Sequence, residues 1–188
     1  MNLIIFGPPG AGKCTQAEFI VNKYDLYQLS TGEVLRNEIK NKTELGKEIS
    51  SIINSGALVS NDIVKKLVET FISDEKYKDR IIFDGYPRNL TQANTLSDLL
   101  SNYGQKIDLV LKLSVSLETI KKRILERRNL EKRADDYEDI AIKRYKTYEK
   151  STEPVIEYYK KLNLLKVIDG ERSIHQINKE ISDIINLI

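Results

Sequence analysis

Residues 3–16 read LIIFGPPGAGKCTQ. The apolar run Leu3-Ile4-Ile5-Phe6 predicts a buried strand. A turn rich in Gly and Pro follows. A helix is predicted over 14–23, with Ala17, Ile20 and Val21 on one face. Gly7 to Lys13 fits the first seven positions of the pattern G-x-x-x-x-G-K-[ST]. In such a loop the glycines let backbone N–H groups converge on one oxyanion with no Cβ in the way. The helix that follows points its positive end at the same place. Lys13 adds a cation for outer phosphates. The competing reading is a plain strand-to-helix turn, and the correct flanking elements favour the phosphate loop. Cys14 breaks the last position, because a thiol is a poor ligand for Mg²⁺. Thr15, one residue on, supplies a hydroxyl.

Outward from this loop, apolar runs alternate with helical patterns. Further strands are predicted over 27–29, 80–83, 109–113 and 164–168, each near a turn signal. Helices are predicted over 45–53, 63–71, 90–100, 117–128, 139–148, 155–161 and 174–187. Ser30-Thr31-Gly32-Glu33 has capping-box spacing and opens a predicted helix through Ile39. Residues 129–136 are polar with no clear period. Strands separated by helices imply an α/β fold with a parallel sheet covered on both faces. Ligands of such sheets bind beyond the carboxyl ends of the strands, where Gly7, Ser30, Asp84 and Asp169 fall.

The chain has 188 residues, 31% of them charged, with a net charge of +2. That length supports one domain with a sizeable core and a small insert. The near balance of charge argues against a general nucleic-acid or membrane-surface binder. No apolar run is long enough to span a bilayer, and the N-terminus enters a strand directly, so a cytoplasmic location is the expectation. The single cysteine excludes an internal disulfide and a cysteine-built zinc site. The lone His175 reads as a helix-surface residue.

Several segments taken together resemble the adenylate kinases: GPPGAGKCTQA, LSTGEVLR (29–36), SGALV (55–59), DGYPRNLTQA (84–93), KRILERR (122–128), KRADD (132–136) and TEPVIEYY (152–159). In that family the loop reads Gly-Lys-Gly-Thr, so the departure here is Cys14 in place of glycine. The resemblance covers the whole chain. It implies a five-stranded parallel sheet flanked by helices, a phosphate-loop nucleoside monophosphate kinase. The implied core is 1–29, 60–126 and 137–188, with a helical monophosphate-binding insert at 30–59 and a short lid at 127–136. The short-lid type has no structural zinc. The implied substrates are ATP and AMP with Mg²⁺, acting on a monomer, with no nucleic-acid or membrane partner.

Phosphoryl transfer between two nucleotides brings polyanions together. The attacking phosphate oxygen is already anionic, so no general base is required. The protein must screen repulsion, align the groups and exclude water. Arginine suits this, being permanently charged and fork-shaped. The resemblance implies catalytic roles for Lys13, Arg88, Arg123, Arg133 and Arg144. It assigns ATP to Gly10, Ala11, Gly12, Lys13, Cys14 and Thr15, to Arg123 and Arg127, and to the carbonyl near Arg172. It assigns AMP to Thr31, Arg36, the backbone of Ala57, Leu58 and Val59, Gly85, Tyr86, Pro87, Arg88, Gln92, Arg133 and Arg144. Gln92 is expected to read the adenine edge, since its amide both donates and accepts. Asp84, with Thr15, is expected to hold Mg²⁺ through water.

Asp135 and Asp136 are expected to pair with lid arginines, with a solvated acidic turn as the alternative for Asp136. Lys121, Lys122 and Arg128 are expected on the solvated surface. Asn89 after Arg88 is shared with uridylate/cytidylate kinases, so a UMP/CMP kinase is the nearest alternative. Asn22-Lys23-Tyr24-Asp25 matches a guanine-reading pattern but ends the first helix, which speaks for chance. A non-catalytic nucleotide-binding module is a further alternative, opposed by the arginine set.

Overall fold

The computed structural model describes residues 1–131 and 134–188. Strand β1 (Leu3–Phe6) is buried along its whole length. Its side chains alternate between two cores, as the pleat requires. Ile4 and Phe6 join Leu29, Ile81, Phe83 and Val110 on one face. Leu3 and Ile5 join Ile82, Leu109, Leu111 and Leu113 on the other. A parallel sheet covered on both sides demands such apolar strands.

Among the described residues the chain runs β1, α1 (Lys13–Tyr24), β2 (Tyr27–Ser30), α2 (Thr31–Lys40), α3 (Glu44–Asn54) and α4 (Asn61–Ile72). It continues with β3 (Ile81–Asp84), α5 (Leu90–Asn102), β4 (Leu109–Ser114), α6 (Leu117–Glu131) and α7 (Glu138–Ser151). It ends with α8 (Glu153–Lys161), β5 (Leu165–Asp169) and α9 (Ile174–Ile185). The five strands are parallel, in the order β2-β3-β1-β4-β5. The α/β fold with a five-stranded parallel sheet is therefore as predicted.

Helices α1 and α9 cover one face through Ala17, Ile20, Ile177 and Ile181. Helices α4, α5 and α8 cover the other through Val68, Ile72, Leu96, Val155 and Tyr159. Each fully buried side chain of this kind contributes about 1.5–3 kcal/mol. Helices α2 and α3 add Leu35 and Ile49 at the edge of the same core. The chain moves outward in opposite directions on the two sides of β1, which opens a crevice at the carboxyl ends of β1 and β3.

Local starts differ from the expectation in one place. Ser30 stands at the N-cap of α2, but its side chain makes no capping hydrogen bond. The reciprocal capping box forms instead at Ser173 and Gln176, which open α9. Asn89 caps α5 by accepting from the Gln92 backbone N–H at 2.9 Å. The described part of the polar segment without a period is helical. Helix α6 runs to Glu131, and Ala134–Asp136 forms a 3₁₀ turn.

Candidate active site

The turn after β1 places the phosphate-loop residues at the head of α1, as the sequence predicts. Gly12 occupies the left-handed region at φ 93°, a conformation that a side chain would disfavour. Lys13, the first residue of α1, folds back over the loop. Its Nζ donates to the carbonyls of Gly7 at 2.8 Å and Pro8 at 3.1 Å. Burial pushes the Lys13 ammonium below the ordinary lysine range, and the Asp84 carboxylate opposes that shift.

Gly85, at φ 79°, turns the chain sharply after β3. A side chain there would collide with Arg88 and Thr31, because its Cβ would lie 2.9 Å from Arg88 Nη2. The freed carbonyl of Gly85 accepts from Thr31 Oγ1 at 2.9 Å and from Arg88 Nε at 2.6 Å. Thr152 Oγ1 donates to the Arg88 carbonyl at 3.1 Å. The Arg88 guanidinium is thereby set at the strand end. Burial first, then repulsion from Arg144, holds it down at about 10, partly offset by Asp84. Lys13 and Arg88 form no ion pair with a described residue. Half-buried cations lining one cleft in this way make a site for a multivalent anion.

One cleft of about 1050 Å³, open to solvent, joins these groups. Its wall contains Lys13, Thr31, Arg36, Ala57, Leu58, Val59, Gly85, Pro87, Arg88, Gln92, Asp135 and Arg144. Tyr86 takes another course. Its ring is buried in the core, and its hydroxyl donates to the Gln92 carbonyl at 3.2 Å. Only its backbone is left for a ligand role. Gln92 is buried, and the chain itself engages both ends of its amide. Oε1 accepts from the Arg88 N–H at 2.7 Å, and Nε2 donates to Asn61 Oδ1 at 3.0 Å.

Arg144 of α7 and the preceding Asp135 line the opposite wall, while Arg123 and Arg127 of α6 lie outside the cleft lining and pack behind it. Arg123 bridges α6 to the loop, donating to the carbonyls of Ala11 at 3.3 Å and Gly170 at 2.9 Å. Arg127 makes a bidentate pair with Asp136, at 2.7 and 2.5 Å. Arg144 reaches Asp135 at 3.0 Å and Asp136 at 3.1 Å. Both carboxylates are buried, so the solvated-turn alternative for Asp136 falls. Burial lowers Arg144 from the ordinary arginine value, and the pairing with Asp135 opposes this.

Arg133 lies outside the described residues. Arg172 turns its side chain to Glu180 on α9 and to Asp169, leaving its carbonyl as the group to consider for a ligand. Lys121 and Lys122 are exposed, as expected. Arg128 is half-buried, with its guanidinium 4.1 Å from the centroid of the Tyr137 ring. His175 is exposed on α9. The Asn22–Asp25 stretch ends α1, and Asp25 pairs with Arg80 away from the cleft.

Asp84 ends β3 with its carboxylate buried. Two donors converge on Oδ2: Gln28 Nε2 at 3.0 Å and the Cys14 thiol at 3.2 Å. Gln28 did not stand out in the sequence. Its only signal was a polar residue inside a short strand. Thr15 is exposed at the head of α1. The buried Asp84 carboxylate and the exposed Thr15 hydroxyl are oxygen donors of the hard kind that Mg²⁺ prefers.

Comparison with known proteins points to one family. The family model described as adenylate kinase matches residues 5–164. A protein named adenylate kinase from Pelagibacter ubique is 43% identical, with both chains covered in full. One from Prochlorococcus marinus (strain MIT 9515) is 43% identical over 96% of each chain. One from Fusobacterium nucleatum is 38% identical over 98% of each.

Proposed function

The chain belongs to the adenylate kinase family and is a nucleoside monophosphate kinase, and we propose that its cleft carries out ATP + AMP ⇌ 2 ADP through the residues described above. The observation that carries the assignment is the joining of the phosphate loop, the Arg88 strand end and Gln92 in one cleft. The ATP phosphates lie on the loop from Gly10 to Thr15, with Lys13 on the transferring group. Arg123 and Arg127 hold ATP from α6, and the Arg172 carbonyl faces its base. AMP lies against Thr31, Arg36, the backbone from Ala57 to Val59, Gly85 to Arg88, and Gln92. Segment 30–59 is the monophosphate-binding insert and 127–136 the short lid.

Because the attacking phosphate oxygen is already anionic and the leaving oxygen gains charge as the bond breaks, the work of the chain is electrostatic. Arg88, Arg144 and Arg133 offset the charge of the phosphoryl group in flight, and Lys13 stays with it. Asp84 and Thr15 would hold Mg²⁺, which would supply charge neutralisation on the ATP phosphates. The cation of Arg144 is shared with Asp135 and Asp136, which a phosphate would have to compete with. The same reading includes a cytoplasmic monomer engaged in adenine nucleotide homeostasis. Among the described residues no helix is long and apolar enough to cross a membrane.

The test is turnover of MgATP with AMP, UMP, CMP and GMP in separate reactions, following the diphosphate formed. Turnover with AMP far above the others is expected. Preference for UMP or CMP would move Gln92 out of its adenine role.

A further inference from the structure

Three side-chain amides meet behind the cleft wall, and backbone donors fix which end of each faces which. The Arg88 N–H donates to Gln92 Oε1 at 2.7 Å. The Gln92 N–H donates to Asn89 Oδ1 at 2.9 Å. A backbone N–H can only donate, so both oxygens are fixed, and both NH₂ ends with them. Gln92 Nε2 then reaches Asn61 Oδ1 at 3.0 Å, and Asn89 Nδ2 reaches the same oxygen at 3.1 Å. Asn61, the first residue of α4, must present its oxygen to two donors.

This arrangement leaves Gln92 one free N–H on Nε2 and one free lone pair on Oε1. A base meeting that edge must offer a donor to Oε1 and an acceptor to Nε2. Adenine does so, with its amino group beside a ring nitrogen. A 6-oxopurine offers a carbonyl beside a ring N–H and needs the amide reversed. Reversal would set NH₂ against the Arg88 N–H and oxygen against Asn61 Oδ1, pairing donor with donor and acceptor with acceptor. An unmatched polar contact of this kind, partly shielded from water, is what rejects a wrong ligand.

We propose that Asn61 is a specificity-determining positioning residue, which adds to the Arg88 N–H in holding the Gln92 amide in the orientation that accepts an aminopurine and rejects a 6-oxopurine monophosphate. The inference rests on the reading of Gln92 as the base-facing group of a monophosphate kinase. Asn61 itself is exposed and makes no part of the cleft lining given above, so it acts through Gln92. It also gives Asn89 a structural task, as helix cap and as second donor to Asn61.

The experiment compares kcat/KM for AMP and for inosine monophosphate in the wild type, Asn61→Leu and Asn61→Asp, with folding checked by circular dichroism. Leucine removes the acceptor. The AMP-to-IMP ratio is expected to fall about tenfold, through a higher KM for AMP and a lower KM for IMP, with kcat for AMP nearly kept. Aspartate keeps an acceptor and is expected to hold the ratio within about twofold of the wild type. An unchanged ratio in Asn61→Leu overturns the lock, as does an equal loss in both variants. The underlying reading is tested apart by Gln92→Ala. If that variant leaves the wild-type ratio and AMP kinetics untouched, Gln92 does not face the base and the inference falls with it.

Discussion

The two walls of the cleft hold their polar groups in different ways. On the strand-end wall, Arg88 and Gln92 are fixed by neutral partners: the Gly85 carbonyl, the Arg88 N–H and the amide of Asn61. On the helical wall, Arg127 and Arg144 are held by the carboxylates of Asp135 and Asp136. Neutral bonds leave the full charge of Arg88 for a ligand while fixing its position. Carboxylates cancel the charge of Arg144 until a stronger anion competes for it. The first arrangement suits a geometry that stays the same through the reaction, and the second suits one that exchanges partners.

Breaking the strand-end wall is expected to cost most in activity. Arg88→Ala should lower kcat/KM by about 10³-fold or more, the scale of arginine effects in phosphoryl transfer. Arg88→Lys should recover little of it, because an ammonium lacks the fork that bonds Gly85 and a phosphate together. A coupled assay of ADP formation checks both. Recovery by lysine would mean that charge alone matters there, which would erase the contrast between the walls.

Breaking the helical wall is expected to cost stability first. Asp136→Ala leaves Arg127 and Arg144 without a buried carboxylate that both share. Removal of one partner from a buried pair costs about 3 kcal/mol, measurable by urea unfolding. A loss below about 1 kcal/mol would show that the arginines rehydrate freely and that this wall is already loose. Smaller again is Gln92→Ala, expected to raise the AMP KM about tenfold with kcat less affected, the size of one or two lost hydrogen bonds.

The sheet and the loop were legible because their signals are local. The run at Leu3–Phe6, the spacing from Gly7 to Lys13 and the turn at Asp84-Gly85 each declare themselves within a few residues. Asp136 was left open because burial decides its role, and burial comes from α6 and α7 closing over it. Gln28 and Asn61 were missed for a related reason. Each acts through a partner distant in sequence, Asp84 for the one and Gln92 for the other. A polar residue in a strand, or at the first position of a helix, carries no mark of which way its amide faces. The side chains of Arg172 and Tyr86 serve α9 and the core, which leaves their backbone groups for the contacts expected of them.

Cys14 gives the smallest expected effect and tells which wall the loop resembles. Its thiol donates to Asp84 Oδ2 at 3.2 Å, beside the stronger amide donor Gln28. A thiol is a weak donor and this one is exposed, so Cys14→Gly should change stability by less than about 1 kcal/mol. Turnover should stay within about threefold, because Gln28 still orients the carboxylate. A thiol-alkylating reagent should nevertheless inactivate the wild type, since the adduct would stand at the head of α1 beside Lys13. Bound ATP should slow that reaction, and Cys14→Gly should be immune to it. If activity survives complete labelling of Cys14, the side chain does not face the phosphates. The loop would then owe its geometry to neutral bonds alone, as the strand-end wall does.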